Sequence, residues 1–284
     1  MSKRQQNNGA SHHKSLSHFF LPAQVFLGGA DKIGSRVVLD DAAITHQIVH
    51  VLRLAEGNLV RLLDGLGNMW KAEICLSGRS ATTFELLERL AVAESDAQQK
   101  CQIVSMLPLL KGPRFEWALE KLTELKVDVI MPFSSTRTVV KSKEKEESEG
   151  RQKRWQNIVR EAAEQSERLL LPTLHAPISL GEMLKKNAND SSRKALNLLL
   201  SERDQAPNIV QLLSPILLSS EHHSLDSLRI TLLGGPEGGF TEEEKSLILA
   251  NDFQKVSLGC TILRGETAAI LAAGIAYAIA STLD

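Results

Sequence analysis

Residues 231–244, TLLGGPEGGFTEEE, constrain this chain more than any other stretch. Thr231, Leu232 and Leu233 close a short apolar run that predicts a buried strand. Four glycines and a proline follow within six residues: Gly234, Gly235, Pro236, Gly238 and Gly239. Glycine accepts positive φ and lets a ligand approach the backbone closely. The run therefore predicts a binding turn, and a side chain added at Gly235 is expected to enter the ligand's space. Thr241-Glu242-Glu243-Glu244 then spells a capping box, a signature of a helix start. Strand, turn and helix N-terminus together expose backbone N–H groups to a polar ligand. A plain surface turn is the competing reading, and the density of glycine counts against it.

A second element of the same kind lies downstream. Val256-Ser257-Leu258-Gly259 ends a strand, 260–265 form a loop, and Glu266 opens a long apolar helix. Two such strand ends predict one pocket with two walls, because ligands of open α/β sheets sit at strand carboxyl ends.

The rest of the composition narrows the class. A chain of 284 residues suits one large domain or two ordinary ones. The formal net charge of −1 announces no nucleic-acid binder, so such a partner needs a local basic patch. Three cysteines, Cys75, Cys101 and Cys260, make no zinc or redox spacing and fit a reducing, cytoplasmic setting. Residues 1–14 are polar and lack the core of a secretory signal. No apolar run reaches the ~20 residues that span a bilayer. The nearest, 268–279, is rich in alanine and predicts a buried helix.

Read in order, residues 1–15 form a polar tail. Short β-type runs follow at 19–21, 36–39, 59–63, 70–74 and 82–86, with one helix over 46–54. They predict a small β-barrel over 16–92. Residues 91–100 read as a linker, and 93–284 as a second domain. There strands at 103–109, 128–133, 196–200, 230–233 and 256–258 alternate with helices at 114–125, 155–166, 209–217, 242–251 and 267–283. Alternation of this kind predicts an α/β fold with a mainly parallel sheet. The mixed-charge run 141–149 reads as a solvated loop. His46 and His50, four apart, have no carboxylate spaced to complete a metal site, and no metal is expected.

Several of these stretches also carry a family resemblance. LLGGPEGGFTEEE with LGCTILRGETAAILAAG, HQIVHVLRLAEGNLVRLLDG, LPLLKGPRFEWALEKLTELKVDVIMPF and RWQNIVREAAEQSER stand in the order seen in the ribosomal RNA small subunit methyltransferase E family. The chain resembles that family over nearly its whole length. The resemblance implies a PUA-like β-barrel that holds RNA, then a SPOUT domain with a deep trefoil knot. It implies S-adenosylmethionine as methyl donor, a homodimer, and N3 of a 16S rRNA uridine as target.

By position, the resemblance places Leu200, Ser201 and Glu202 on one wall of the donor site. Leu232, Gly234, Gly235, Pro236, Glu237 and Gly238 form the second, and Leu258, Gly259, Ile262, Leu263, Arg264 and Thr267 the third. Two departures stand out. His18 replaces an arginine common in the family, and ILRGETA replaces ILRTETA, with Gly265 in the place of threonine. For the chemistry, Arg264 is the candidate to stabilise charge on the uracil, and Glu237 the candidate base. Arg264 has a competing role as an ion-pair partner of Glu266 or Glu237. His18, Arg53, Lys111, Arg114, Arg137, Lys141 and Arg160 are the candidate RNA contacts, each an ordinary surface charge unless clustered. A nicotinamide-dependent dehydrogenase fits poorly, since its G-x-G-x-x-G belongs after the first strand. A non-catalytic RNA binder leaves the glycine turns without purpose, and a 2′-O-ribose methyltransferase shares the donor loops.

Overall fold

The computed structural model describes residues 16–78, 80–92, 101–138, 145–190, 193–202, 205–218 and 228–282. The chain divides into two compact units, Met1–Asp64 with Asn68–Ala91, and Gly65–Gly67 with Val92–Asp284.

The N-terminal unit is a five-stranded sheet in the order β1-β3-β4-β5-β2. The strands are β1 (His18–Phe20), β2 (Arg36–Leu39), β3 (Leu59–Leu63), β4 (Asn68–Ser77) and β5 (Thr82–Val92). β1 runs parallel to β3, and the pairs β3–β4 and β2–β5 are antiparallel. In β4 the burial alternates, with Trp70, Ala72 and Ile74 inside, as a period of two requires. The helical segment starts earlier than the sequence predicts. Asp41 caps α1 (Ala42–His46) by accepting from the N–H groups of Ala43 and Ile44 at 2.9 and 3.1 Å. A π-helical turn, Gln47–Val51, continues it. β5 runs through Ala91 and Val92, which the sequence assigns to a linker; 93–100 lie outside the described residues, as does the tail 1–15.

The second unit is built on seven strands. These are β6 (Cys101–Pro108), β7 (Val129–Ser134), β8 (Thr173–Leu174), β9 (Ile178–Ser179), β10 (Lys194–Leu200), β11 (Leu228–Leu233) and β12 (Phe253–Val256). Their order is β12-β10-β11-β6-β7-β8, with β9 also paired to β7, and every pairing is parallel. The helices are α2 (Arg114–Glu124), α3 (Lys145–Gln165), α4 (Leu180–Asn189), α5 (Ile209–Leu218), α6 (Glu242–Leu249) and α7 (Gly265–Ala280). Residues of α2, α3, α5 and α7 join one core with Ile103, Leu107, Leu198, Ile230 and Leu232. Residues of α4 and α6 join another with Val104, Met106, Leu199 and Leu233. Neighbouring strand residues thus feed opposite cores, so a strand covered on both faces reads as an unbroken apolar run.

Three elements differ from the sequence reading. Residues 145–149 open α3 rather than belonging to a loop, and 141–144 lie outside the described residues. α4 was not expected, although Ser179 and Glu182 form a full capping box at its start. β8 and β9 are two-residue strands, too short to show a period. No helix among the described residues is long and apolar enough to cross a membrane.

Arg168, just after α3, fastens the helices that frame the site. Its Nη1 donates to the carbonyls of Thr123 and Val127 at 2.8 and 2.9 Å, and its Nε to that of Leu170 at 3.1 Å. It satisfies carbonyls at the C-terminal end of α2, where a cation also meets the helix dipole favourably. Burial pulls its pKa down from the usual arginine range, opposed by the charge of Asp128. Replacing Arg168 by Met would remove the side-chain donor to the carbonyls of Val127 and Leu170, and one of the donors to that of Thr123, which also accepts from the Lys126 N–H; it should lower stability by about 3 kcal/mol. Arg168→Lys should recover only part. Urea unfolding of both variants checks this, and an unchanged midpoint in Arg168→Met would refute it.

Candidate methyl-donor and RNA site

β12, β10 and β11 are neighbours in the sheet, so their carboxyl ends open on the same edge. The loops that leave them line a cavity of about 880 Å³, within the usual range for ligand sites. Ser201, just after β10, donates its N–H to the carbonyl of Val256 at 2.9 Å, tying the first loop to the end of β12. After β12, the hydroxyl of Ser257 donates to the carbonyl of Gly259 at 3.0 Å and accepts from its N–H at 3.2 Å.

The glycine turn after β11 is closed by Gly239 N–H donating to the Pro236 carbonyl at 2.8 Å. Of its four glycines only Gly239 takes a left-handed φ, +68°. Close packing explains others. A Cβ at Gly235 would meet the ring of Phe240 at 3.3 Å. Gly235 lines the cavity, and a side chain there would also press on Phe240, itself a lining residue stacked against Phe133. A Cβ at Gly238 would lie 3.0 Å from that of Arg137, whose Nη1 donates to the Gly238 carbonyl at 3.1 Å.

The turn runs into α6 through the expected capping box. Thr241 Oγ1 accepts from the Glu244 N–H at 3.2 Å, and Glu244 Oε2 accepts from the Thr241 N–H at 3.0 Å. Glu244 Oε1 also accepts from the N–H of Thr136 at 2.8 Å, which fastens the loop after β7 to the same helix start.

The lining residues include Leu200, Ser201, Glu202, Gly235, Pro236, Glu237, Gly238, Leu258, Gly259, Ile262, Leu263 and Arg264. Leu232, Gly234 and Thr267 do not line it; Leu232 is buried in the core behind. Leu199, Phe240, Lys245, Lys255 and Gly265 line it without having been expected, and only the folded arrangement reveals them. Arg264 is the N-cap of α7, and its side chain makes no capping bond. No described residue takes its guanidinium in an ion pair; that role falls to Arg114, which bonds Glu237 through Nη1 and lies 3.7 Å from Glu266 Oε1.

Of the candidate RNA contacts, Lys111, Arg114 and Arg137 line this cavity with Arg264. Arg160, on α3, donates instead to Asn157. In the N-terminal unit, Arg53 follows the π-helical turn with a left-handed φ of 55°, and His18 Nε2 lies 3.0 Å from Arg61 Nη1. The rings of His46 and His50 lie 4.8 Å apart. Lys141 lies outside the described residues.

Residues 97–277 match the family described as an RNA methyltransferase domain, which defines the class of the second unit. A ribosomal RNA small subunit methyltransferase E from Synechocystis sp. is 36% identical over 259 residues, 91% of this chain and 78% of that relative. One from Rickettsia conorii is 30% identical, over 84% of this chain and 88% of its own length. The chain belongs to the ribosomal RNA small subunit methyltransferase E family. Among solved structures, the family enzyme of Neisseria gonorrhoeae bound to S-adenosyl methionine aligns with a TM-score of 0.72 at 28% identity, covering 94% of this chain and 96% of that one.

Gly235→Val should displace Phe240 and weaken S-adenosylhomocysteine binding, with a fall in melting temperature that a simple filling of the cavity would not cause. Calorimetry and thermal unfolding, with Gly235→Ala as the milder variant, check it. Undiminished affinity in Gly235→Val would refute this placement of the turn.

Proposed function

We propose that this protein transfers a methyl group from S-adenosylmethionine to N3 of a uridine in 16S rRNA, acting on the small ribosomal subunit in the cytoplasm. The observation that carries the reading is the cavity at three adjacent strand ends, with Arg264 on its wall and in no ion pair among the described residues. The cavity suits the donor: Leu258, Ile262 and Leu263 offer apolar surface, and Ser201, Glu202 and the backbone of the glycine turn offer polar groups. When bound, the sulfonium supplies an activated methyl group. The protein's share is orientation, proton removal and stabilisation of charge.

Uridine N3 must lose its proton before it attacks, and negative charge then spreads onto O2 and O4. Arg264 stabilises that charge, and Glu237, on the same wall system, receives the proton. Lys111 and Arg137 hold the RNA backbone at the cavity mouth. The five-stranded N-terminal unit acts as a PUA-like RNA holder through His18 and Arg53. The loops after β10, β11 and β12 form the SPOUT-type trefoil knot.

The active form is a homodimer. Four alanines of α7, Ala269, Ala272, Ala273 and Ala276, are consumed by packing in the core, and Ala268 lines the cavity. Support for association comes instead from Trp117 and Leu271, 46% and 40% exposed on the contacting helices α2 and α7. Light scattering at micromolar concentration should give twice the chain mass; a monomer would refute the dimer.

Arg264→Ala should lower single-turnover rates on reconstituted small subunits by ~10²–10³. Donor affinity should change little, because the contact is made in the transition state. Arg264→Lys should recover part of the rate, since a point charge cannot serve two oxygens as a planar fork does. Normal turnover in Arg264→Ala, or a methyl group on ribose rather than N3, would overturn the mechanism.

A further inference from the structure

Arg114 is the first residue of α2 and lines the cavity. The start of α2 is held firmly: Phe115 is buried and packs against Trp155, ring centroids 4.3 Å apart. From this fixed base the guanidinium divides between two carboxylates. Nη1 bonds Glu237, in the glycine turn after β11, and Nε lies 3.7 Å from Oε1 of Glu266, in the first turn of α7. Glu266 is 4% exposed, and its Oε2 has no hydrogen-bond partner among the described residues. A buried carboxylate so poorly supplied depends strongly on the one cation beside it. The elements that Arg114 joins also abut directly, since a Cβ at Gly265 would lie 3.3 Å from the carbonyl oxygen of Gly235.

Arg264 lines the same cavity two residues before Glu266 and has no such partner among the described residues. Unless the two carboxylates were already engaged, this free cation would be drawn to them. We propose that Arg114 is a positioning residue for methyl transfer: by holding Glu237 and Glu266 together it sets the glycine turn against the start of α7 and leaves Arg264 to the substrate. The proposal rests on the methyl-transfer reading of the cavity. Arginine suits the task because its fork presents separate N–H groups to two acceptors, whereas lysine offers a single point charge.

The test uses the full-length protein and three variants: Arg114→Ala, Arg114→Lys and the double variant Arg114→Ala/Glu266→Gln, with Glu266→Gln as reference. Calorimetry reads affinity for S-adenosylhomocysteine, thermal unfolding reads the fold, and single-turnover assays at saturating donor read the rate. Arg114→Ala should weaken S-adenosylhomocysteine binding by ~10-fold, and lower the saturated rate by ~10²-fold through misplacement of Arg264 and Glu237. Arg114→Lys should restore part of both. The double variant should be no worse than Arg114→Ala in affinity, because both changes break one bridge. Arg114→Ala that binds and turns over as the parent does, or losses in the double variant that equal the product of the single losses, would overturn the proposal. If the parent shows no methyl transfer but the affinities follow this non-additive pattern, the bridge stands and the reaction assigned to the cavity falls.

Discussion

Everything at the site depends on the parallel pairing of β11 with β10 on one side and β6 on the other. All six residues of β11 are buried, and its register runs Leu228↔Lys194 to Leu233↔Leu199 and Leu228↔Cys101 to Leu233↔Met106. Shifting a strand by one residue exchanges its two faces. Here both faces feed cores, one through Ile230 and Leu232 and the other through Leu233. A shifted β11 would misfill both at once. The same register fixes where Gly234 leaves the sheet, so the position of the glycine turn is a by-product of core packing.

Polar groups then trim what the sheet positions. Asn187 on α4 donates through Nδ2 to Asn197 Oδ1 at 3.1 Å, which ties a helix to β10 by a buried contact of defined geometry. Glu244 serves two N–H groups with two oxygens, one in its own helix cap and one in the loop after β7. Both are cases in which a polar side chain specifies one arrangement among several that apolar burial would tolerate.

Much of this was legible in the residues. The buried strands announced themselves as apolar runs, and Thr241 with Glu244 marked a helix start that the structure reproduces. The glycine turn announced a close approach, but not to what: Phe240 and Arg137 are the neighbours, and only tertiary packing names them. Ser179 and Glu182 carry a signal as plain as that of Thr241 and Glu244, but the apolar stripe behind it is short: Leu180, Met183 and Leu184 are its buried apolar residues. The pairing of Arg114 with Glu237 spans 123 residues of sequence, and no local pattern encodes such a contact. For the same reason the sequence does not show that Glu237 and Glu266, near neighbours of Arg264 in the chain, pair with Arg114 in the fold.

The long reach of β11 has a consequence for how the protein comes into being. Its partner β6 lies at the far beginning of the same unit, and β12, the outer neighbour of β10, is the last strand among the described residues. Contacts between distant segments are slow to form, because the loop between them must be closed first. During synthesis the earlier strands must therefore wait, with β6 lacking one of its two neighbours until Leu228–Leu233 has emerged. The cavity at the three strand ends is complete only once β12 and the loop after it have emerged. A product stalled before β12 would have most of the residues and lack one wall of the cavity.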